Sequence, residues 1–571
     1  MKASNRTISY VLNRVATFLE VAGEDRFRFL AYRRAGRTIG RLEEPVHLLL
    51  EAGQELPDLP GIGRSLTAAI DSIIKTGTTP LLVEMEHRIP PPVIELIRIR
   101  GLGAGKVGDL MRAGIDSIDQ LAAAVDDGRL AELHGMGHRT VDRIRRSLGE
   151  YLAHRGRFLR HVVTDRVAAI SEHLESSGLC TAVHPAGSVR RGRESAGDVD
   201  ILAVTDKPEK VLRFIASWED AISVTRASPS HGQIATVEGL QVEVYVAPPD
   251  SAGSALALLT ASADHLEQVL ALTPTGRVEN GVVFAGDHPV LVATEEEFYA
   301  RFGLPLIPPE LREGRGEVEA GLAGGLPRLL EPGDLRGDLH MHTPHSDGLN
   351  SMRELAQRAL ERGYQYIAFA DHTKNVAIAN GMTAERTRIY LQEIDKINAE
   401  TTGIELLKGI EVDILKDGTL DLPDELLLQM DVVIASVHSH FNLSEREMTT
   451  RVLRAMDNRF VTTIGHPTCR LVGSRSCIPL DMEQIFAGAR DTGTLLELNA
   501  NPERLDLNDL HCRRAKEMGI PVAISTDAHR VEQLDNMRFG VTQARRGWLE
   551  PCDVANTRPL ADLRKLLHRK R

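Results

Sequence analysis

GDLHMHTPHSDG, residues 337–348, places His340, His342 and Asp347 at the end of a short apolar run, and the pattern recurs down the chain. YIAFADH (366–372) ends in His372, LLKGIEVDI (406–414) carries Glu411, and VVIASVHSH (432–440) closes on His438 and His440. FVTTIGHP (460–467) supplies His466, and IPVAISTDAH (520–529) ends in Asp527 and His529. Helical stretches such as SMRELAQRALERG (351–363) and RTRIYLQEIDKINA (386–399) separate the runs, which reads as a βα repeat.

In a βα barrel the C-terminal ends of the parallel strands converge on one mouth, so ligands far apart in sequence meet there. Residues 336–530 hold nine histidines, and six stand at run ends or beside another ligand-type side chain. A lone His is an ordinary polar or core residue, but a set placed this way points to metal. Imidazole and carboxylate donors without thiolate suit Zn²⁺, Mn²⁺ or Fe²⁺. Divalent ions would acidify a water for in-line attack on phosphorus, the chemistry of a phosphoesterase. His345 and His511 have no assigned part.

Outward from this region, a chain of 571 residues is too long for one core, so several domains are expected. No stretch approaches the roughly 18 apolar residues of a membrane span, and the polar MKASNRTISYVLNR start has no secretory h-region. Cys180, Cys469, Cys477, Cys512 and Cys552 form no CxxC pair, which fits a reducing cytoplasm and speaks against a thiolate zinc site. Residues 1–160 carry 24 Lys+Arg against 20 Asp+Glu, a net of +4 in a chain of −12. A basic front on an acidic body suits a phosphate grip coupled to carboxylate metal sites, though plain surface variation has equal standing.

In that front, LPGIGRSL (59–66), IRGLGAGKV (99–107) and LHGMGHRT (133–140) each set Gly-x-Gly between an apolar residue and a helix. The pairs are Gly61/Gly63, Gly101/Gly103 and Gly135/Gly137. Such hairpins bring backbone N–H groups up to a DNA phosphate without reading bases. Helix C-caps followed by new helices would look similar. Arg64, Lys106 and Arg139 follow the turns as phosphate partners should.

In the middle, GSVRRGRESAGDVDIL (187–202) opens with Gly187 and Ser188, a turn able to hold a triphosphate, and puts Asp198 and Asp200 on one strand face. Two-metal phosphoryl transfer needs such a pair plus a third carboxylate, which LQVEVYVAPPD (240–250) supplies as Glu243. An isolated DxD on a strand would otherwise be a solvated face.

With these motifs together the chain resembles the bacterial family X DNA polymerases, from Asn13, GEDRFRFLAYRRAGRTI (23–39) and LPGIG (59–63) through the Gly-Ser-x-x-Arg-Gly…Asp-Val-Asp signature to IPPELREGRGE (307–317). The C-terminal set resembles the polymerase-and-histidinol-phosphatase (PHP) superfamily. The resemblance implies a multidomain α+β and α/β chain. A helical helix–hairpin–helix region would span 1–155, a nucleotidyltransferase-like palm and thumb 156–318, a linker 319–335, and a distorted (βα)7 PHP barrel 336–571. It further implies three divalent ions, Mn²⁺ or Zn²⁺, in the barrel. His340, His342, Glu411 and Asp527 would hold the first; Glu411 would bridge to a second with His438 and His466; Asp347, His372 and His529 would hold the third. His440 is then a phosphate contact or proton donor, and Arg470 a further contact to the scissile phosphate. Arg191 joins Gly187 and Ser188 in binding nucleotide, with Mg²⁺ or Mn²⁺ at Asp198, Asp200 and Glu243.

Departures from the family fall at the polymerase site. Glu243 stands for Asp, and one methylene moves a carboxylate by roughly 1.5 Å, where a misplacement of about 1 Å can cost on the order of a hundredfold. The nucleotide turn LLTASADHL (258–266) has Ala261 for Gly and Leu266 for Asn, and Leu258 and Leu259 replace the aromatic pair. The expectation is a monomeric, cytoplasmic DNA-repair enzyme acting on gapped, nicked or 3′-damaged DNA as a 3′→5′ exonuclease or 3′-phosphodiesterase, with abasic-site cleavage included. Incorporation of dNTP is weakened or lost. The alternatives are a working gap-filling polymerase with the barrel as editor, and a small-molecule phosphatase of the histidinol-phosphate type.

Overall fold

A computed structural model describes residues 5–40, 42, 46, 62–99, 101–133, 135–236 and 238–568. Up to His154 the described chain is helical. Gly63, Gly103 and Gly137 are extended N-caps of the helices Arg64–Thr76, Ala104–Arg112 and His138–His154, and none has a side-chain cap. Leu66, Thr140 and Val107 N–H turn back to the cap carbonyls, so only the N–H groups at the very start of each helix are left without a side-chain acceptor. Gly101 and Gly135 turn the hairpins with φ of 102° and 77°; Gly61 lies outside the described residues. Lys106 Nζ donates to Gly101 O at 3.1 Å, so it sits over its own turn.

The palm is a five-stranded sheet. Its strands are β1 (Ala182–Pro185), β2 (Asp198–Val204), β3 (Ala221–Ser228), β4 (His231–Thr236) and β5 (Gln241–Ala247), in the order β1-β2-β5-β4-β3. Only β2 and β5 run parallel, and their register sets Asp200 opposite Glu243. The alternation DVDILAV buries Val199 and Ile201 on one face and leaves both aspartates on the other.

The C-terminal region is a seven-stranded parallel barrel: β6 (Gly337–Met341), β7 (Tyr366–Phe369), β8 (Glu405–Asp413), β9 (Val432–Ser436), β10 (Thr463–Ile464), β11 (Leu495–Asn499) and β12 (Val522–Ser525) in sequential order. A parallel bridge from Met341 to Ala528, with Asp527 N donating to His340 O at 2.9 Å, brings the last strand back to the first. The period of two divides the strands after the bulged β6. Ile367, Phe369, Ile410, Val433 and Leu498 pack outward among the helices. Leu339, Ala368, Leu407, Ile434, Leu495 and Ala523 fill the interior, which Leu563 and Leu567 of the helix Leu560–Leu567 close from below. Glu411, His438, Glu497 and Asp527 share parity with these interior residues, so the same alternation aims them into the mouth.

The palm and thumb rest on the barrel. Gln543 donates to Glu194 at 2.8 Å, Arg546 to Arg191 O at 2.7 Å, and Arg545 to Glu310 at 2.8 Å. Gly192 has φ 71°, and a Cβ there would overlap Thr542 of the barrel helix Met537–Arg546. The segment 319–335 is not a free tether: Leu329, Leu330 and Leu335 are buried, and Leu330 N donates to Leu549 O at 3.0 Å.

Candidate active site

All nine ligand candidates of the barrel meet at the mouth. His340, His342 and Asp527 form one group, His372, Glu411 and His438 a second, and His342, Asp347, His372 and His529 a third. Glu411 stands between them: His340 Nε2 lies 3.5 Å from its Oε2, and His438 Nε2 and His466 Nε2 lie 3.3 and 3.1 Å from its Oε1. His342 Nε2 is 3.0 Å from Asp527 Oδ1, and His529 Nε2 is 3.3 Å from Asp347 Oδ1.

The protein orients these rings from behind. His340 Nδ1 is 2.7 Å from Glu497 Oε1, His438 Nδ1 is 3.3 Å from Asp413 Oδ1, and His529 Nδ1 is 2.9 Å from Asp527 O. With Nδ1–H donating to an oxygen, each Nε2 lone pair faces the pocket. Asn499 donates to Asp527 Oδ2 at 3.0 Å, and His466 N to Glu497 Oε2 at 2.6 Å.

Three buried atoms at the centre, His342 Nδ1, His372 Nδ1 and Glu411 Oε2, have no hydrogen-bond partner. His372 Nδ1 and Glu411 Oε2 approach to 2.7 Å without hydrogen-bonding angles, two lone-pair donors aimed at a common point. Buried polar atoms without partners are costly and rare, and cations between them would satisfy all three. The donor set, imidazole and carboxylate only, fits divalent metal.

The electrostatics divide the ligands, with His340, His438 and His529 raised by neighbouring carboxylates and His342 lowered. Burial works against the charged form of Glu411 and Asp527, yet the surrounding imidazoles hold both carboxyls well below the usual range. Burial beside His529 and His372 drives His342 down to about 3, which keeps the ring neutral with one nitrogen lone pair free. Burial opposes protonation of His438 too, but Glu411 and Asp413 push it up to about 9.

His440 is exposed at the rim, two residues beyond His438, with φ 55°. Arg470 corrects the expectation of a phosphate contact. Its guanidinium is mostly buried and engages Glu194 of the palm and Leu505 O, so it joins the two bodies. The arginine that reaches the metal-ligand cluster is Arg504, whose Nε lies 3.5 Å from Asp527 Oδ2. Sequence reasoning also passed over Asp413, Glu497 and Asn499. Asp413 follows Glu411 by two residues on β8, and LLELN carries two polar residues at a strand end, so the run-end pattern that picked out the histidines marks them as well.

In the palm, Gly187 (φ 57°) lies so close to the Asp200 carboxylate that a Cβ would overlap it. Burial, with Asp198 and Glu243 nearby, lifts Asp200 to about 6. Glu243 is held by β4: its Oε2 lies 2.5 Å from His231 Nε2 and its Oε1 accepts from Gln233 at 2.6 Å. Ser188 follows Gly187 in the short helical turn Gly187–Arg190. Arg191 is engaged by Glu313 at 3.1 Å and by Thr260 O at 2.9 Å.

Comparison with known proteins agrees with this anatomy. Residues 3–79 match the helix-hairpin-helix domain family, 93–150 the SAM-like helix-hairpin-helix tandem, and 338–472 the PHP domain. The DNA polymerase/3′-5′ exonuclease PolX of Bacillus subtilis (strain 168) is 36% identical over 574 residues, 99% of each chain. Probable phosphatases of Thermoanaerobacter sp. (strain X514) and Syntrophotalea carbinolica are 31% and 30% identical over 203 and 230 residues. These matches cover 34% and 38% of this chain, and 78% and 90% of theirs. With hairpins in front, a palm between and a histidine-lined barrel behind, the chain belongs to the PolX family and carries its PHP domain.

Proposed function

We propose that the barrel hydrolyses DNA phosphodiesters at 3′ termini, as a 3′→5′ exonuclease and 3′-phosphodiesterase, with abasic-site cleavage by the same chemistry. The observation that carries this is the mouth itself, where nine ligand-type side chains converge around three orphaned buried atoms. Three divalent ions, Mn²⁺ or Zn²⁺, held as expected above, would acidify water and shield phosphate charge. The chain's own residues do the rest. Glu497, Asp413 and Asn499 hold the ligands in place, Arg504 offers a cation beside Asp527, and His440 at the rim is placed to meet a phosphate or leaving oxygen. DNA is gripped by the uncapped hairpin helices, and the protein works as a cytoplasmic monomer. Among the described residues no helix is long and apolar enough to cross a membrane.

The polymerase site is weakened. His231 and Gln233 pin the longer Glu243 carboxylate, and Arg191 is committed to Glu313 and the altered nucleotide turn. One observation favours the second reading, an active gap-filling polymerase: β2 and β5 still bring Asp200 and Glu243 side by side. Mg²⁺ or Mn²⁺ and a dNTP would then bind there. The phosphatase reading draws on relatives that match the barrel alone.

A 5′-labelled gapped primer–template with Mn²⁺, with and without dNTPs, tests the choice. Shortening in both conditions, abolished in His342→Ala or Asp527→Ala while DNA binding persists, is the expected result. Extension with dNTPs would put the polymerase first, and nuclease surviving both substitutions would move the chemistry out of the barrel.

A further inference from the structure

Where palm, thumb and barrel meet, a cleft of about 410 Å³ is lined by none of the barrel's metal-ligand candidates and neither palm aspartate. That volume falls within the roughly 300–1,000 Å³ of small-molecule sites. Arg157, Arg193, Arg315, Arg470 and Arg546 line it, facing Glu194 and Asp509. Another carboxylate that reaches these arginines, Glu313, lies 3.1 Å from Arg193 and 2.9 Å from Arg546, and is shared with Arg191. Six guanidinium groups thus surround three carboxylates, which pair with five of them, and the buried Asp506 carboxylate acts on Arg470 as a fourth.

An ordinary interface network would pair its charges, because an uncompensated buried charge is expensive. Here buried donors are left without partners, as are the nearby acceptors Asp506 Oδ1 and Gln543 Oε1. The Arg546 side chain is 3% exposed and takes Asp509, Glu313 and Arg191 O, yet its Nε has no partner. Arg470 Nε is also buried without one. Towards the opening, Arg157 is exposed and bonds Ser195, and the Arg193 and Arg315 side chains are 42% and 29% exposed.

We infer that this cleft is a binding site for a phosphate monoester, carried by a free nucleotide or by a DNA 5′ end. A phosphate monoester brings about −1.5 to −2 charge and three acceptor oxygens near neutral pH. Arginine forks recognise such oxygens in pairs. The surplus of positive charge and of N–H donors matches that ligand and disfavours a neutral or cationic one. None of its lining residues is a barrel ligand candidate, so the inference stands whether or not the barrel is a nuclease.

The test is calorimetric titration of the full-length, metal-loaded protein with inorganic phosphate, a deoxynucleoside monophosphate, and an oligonucleotide with or without a 5′ phosphate. The doubly substituted Arg193→Gln/Arg315→Gln protein is run alongside. Both side chains are partly exposed, so the fold should survive, and an unchanged melting temperature would verify it. Arg157→Gln, on the open edge, gives a second check. We expect phosphate affinity at least tenfold weaker in the substituted proteins; the ligand that loses most identifies the source. Equal titration of wild type and variants, with phosphate bound only at the barrel metals, would overturn the inference, as would no binding by the wild type.

Discussion

Glu497 touches two ligands at once, taking the His340 ring on one oxygen and the His466 amide on the other. It holds no pocket position itself, yet it sets the tautomer of His340. Glu497→Gln, similar in size, offers an amide that can donate as well as accept, so the ring loses its fixed acceptor. Loss of such supporting groups elsewhere costs roughly 10–100-fold in metal affinity or activity. That loss is expected here, read by metal titration and by nuclease rate at saturating Mn²⁺, and full activity without added metal would contradict it. A second residue-scale prediction concerns acid stability. His265, buried in the thumb, lies 2.7 Å from Glu317 and 2.9 Å from Tyr299 Oη. Burial pushes its imidazole below 6.5 despite Glu317, so the folded protein keeps it neutral while the unfolded chain protonates it near 6.5. Its contribution is present above pH 6.5 and is lost as pH falls through the lower folded value. The melting-temperature gap between wild type and His265→Gln should therefore narrow from pH 7.5 to 5.5, and a constant gap would refute this.

At the scale of elements, the hairpins depend on glycine where φ is positive. Gly101 at φ 102° faces Arg143, whose Nε would lie 2.8 Å from an added Cβ. Gly101→Ala should cost about 1–3 kcal/mol locally and weaken DNA binding, measured by fluorescence anisotropy, while hydrolysis of a small phosphodiester stays unchanged. The barrel strands show how much of this architecture a sequence discloses. Histidines closing apolar runs are conspicuous, because imidazole is out of place there unless it has work to do. Asp413, Glu497 and Asn499 obey the same alternation but drew no notice, since a carboxylate or amide at a strand end is also an ordinary turn residue. The pairing of Arg470 with Glu194 spans 276 positions and leaves no local trace. Likewise Gly and Pro around 319–335 suggest a loose connector, and only the fold reveals that Leu329 and Leu330 are buried.

Across the whole molecule the net charge of −12 hides a division of labour. On the function proposed above, the hairpins would offer backbone N–H groups to phosphates, while the barrel gathers Asp347, Glu411 and Asp527 among its histidines. DNA affinity should fall steeply with salt, with a log–log slope of about −0.9 for each phosphate engaged on duplex DNA. A flat salt response would remove the hairpins from the grip. The contacts that seat the palm on the barrel carry a mechanical implication. Glu194 is clasped by Arg470 and Gln543, Gly192 presses on Thr542, and Arg545 holds Glu310. Those contacts tie the palm to the barrel, so if both sites act on one DNA, as proposed above, the strand end rather than the protein would have to travel between them.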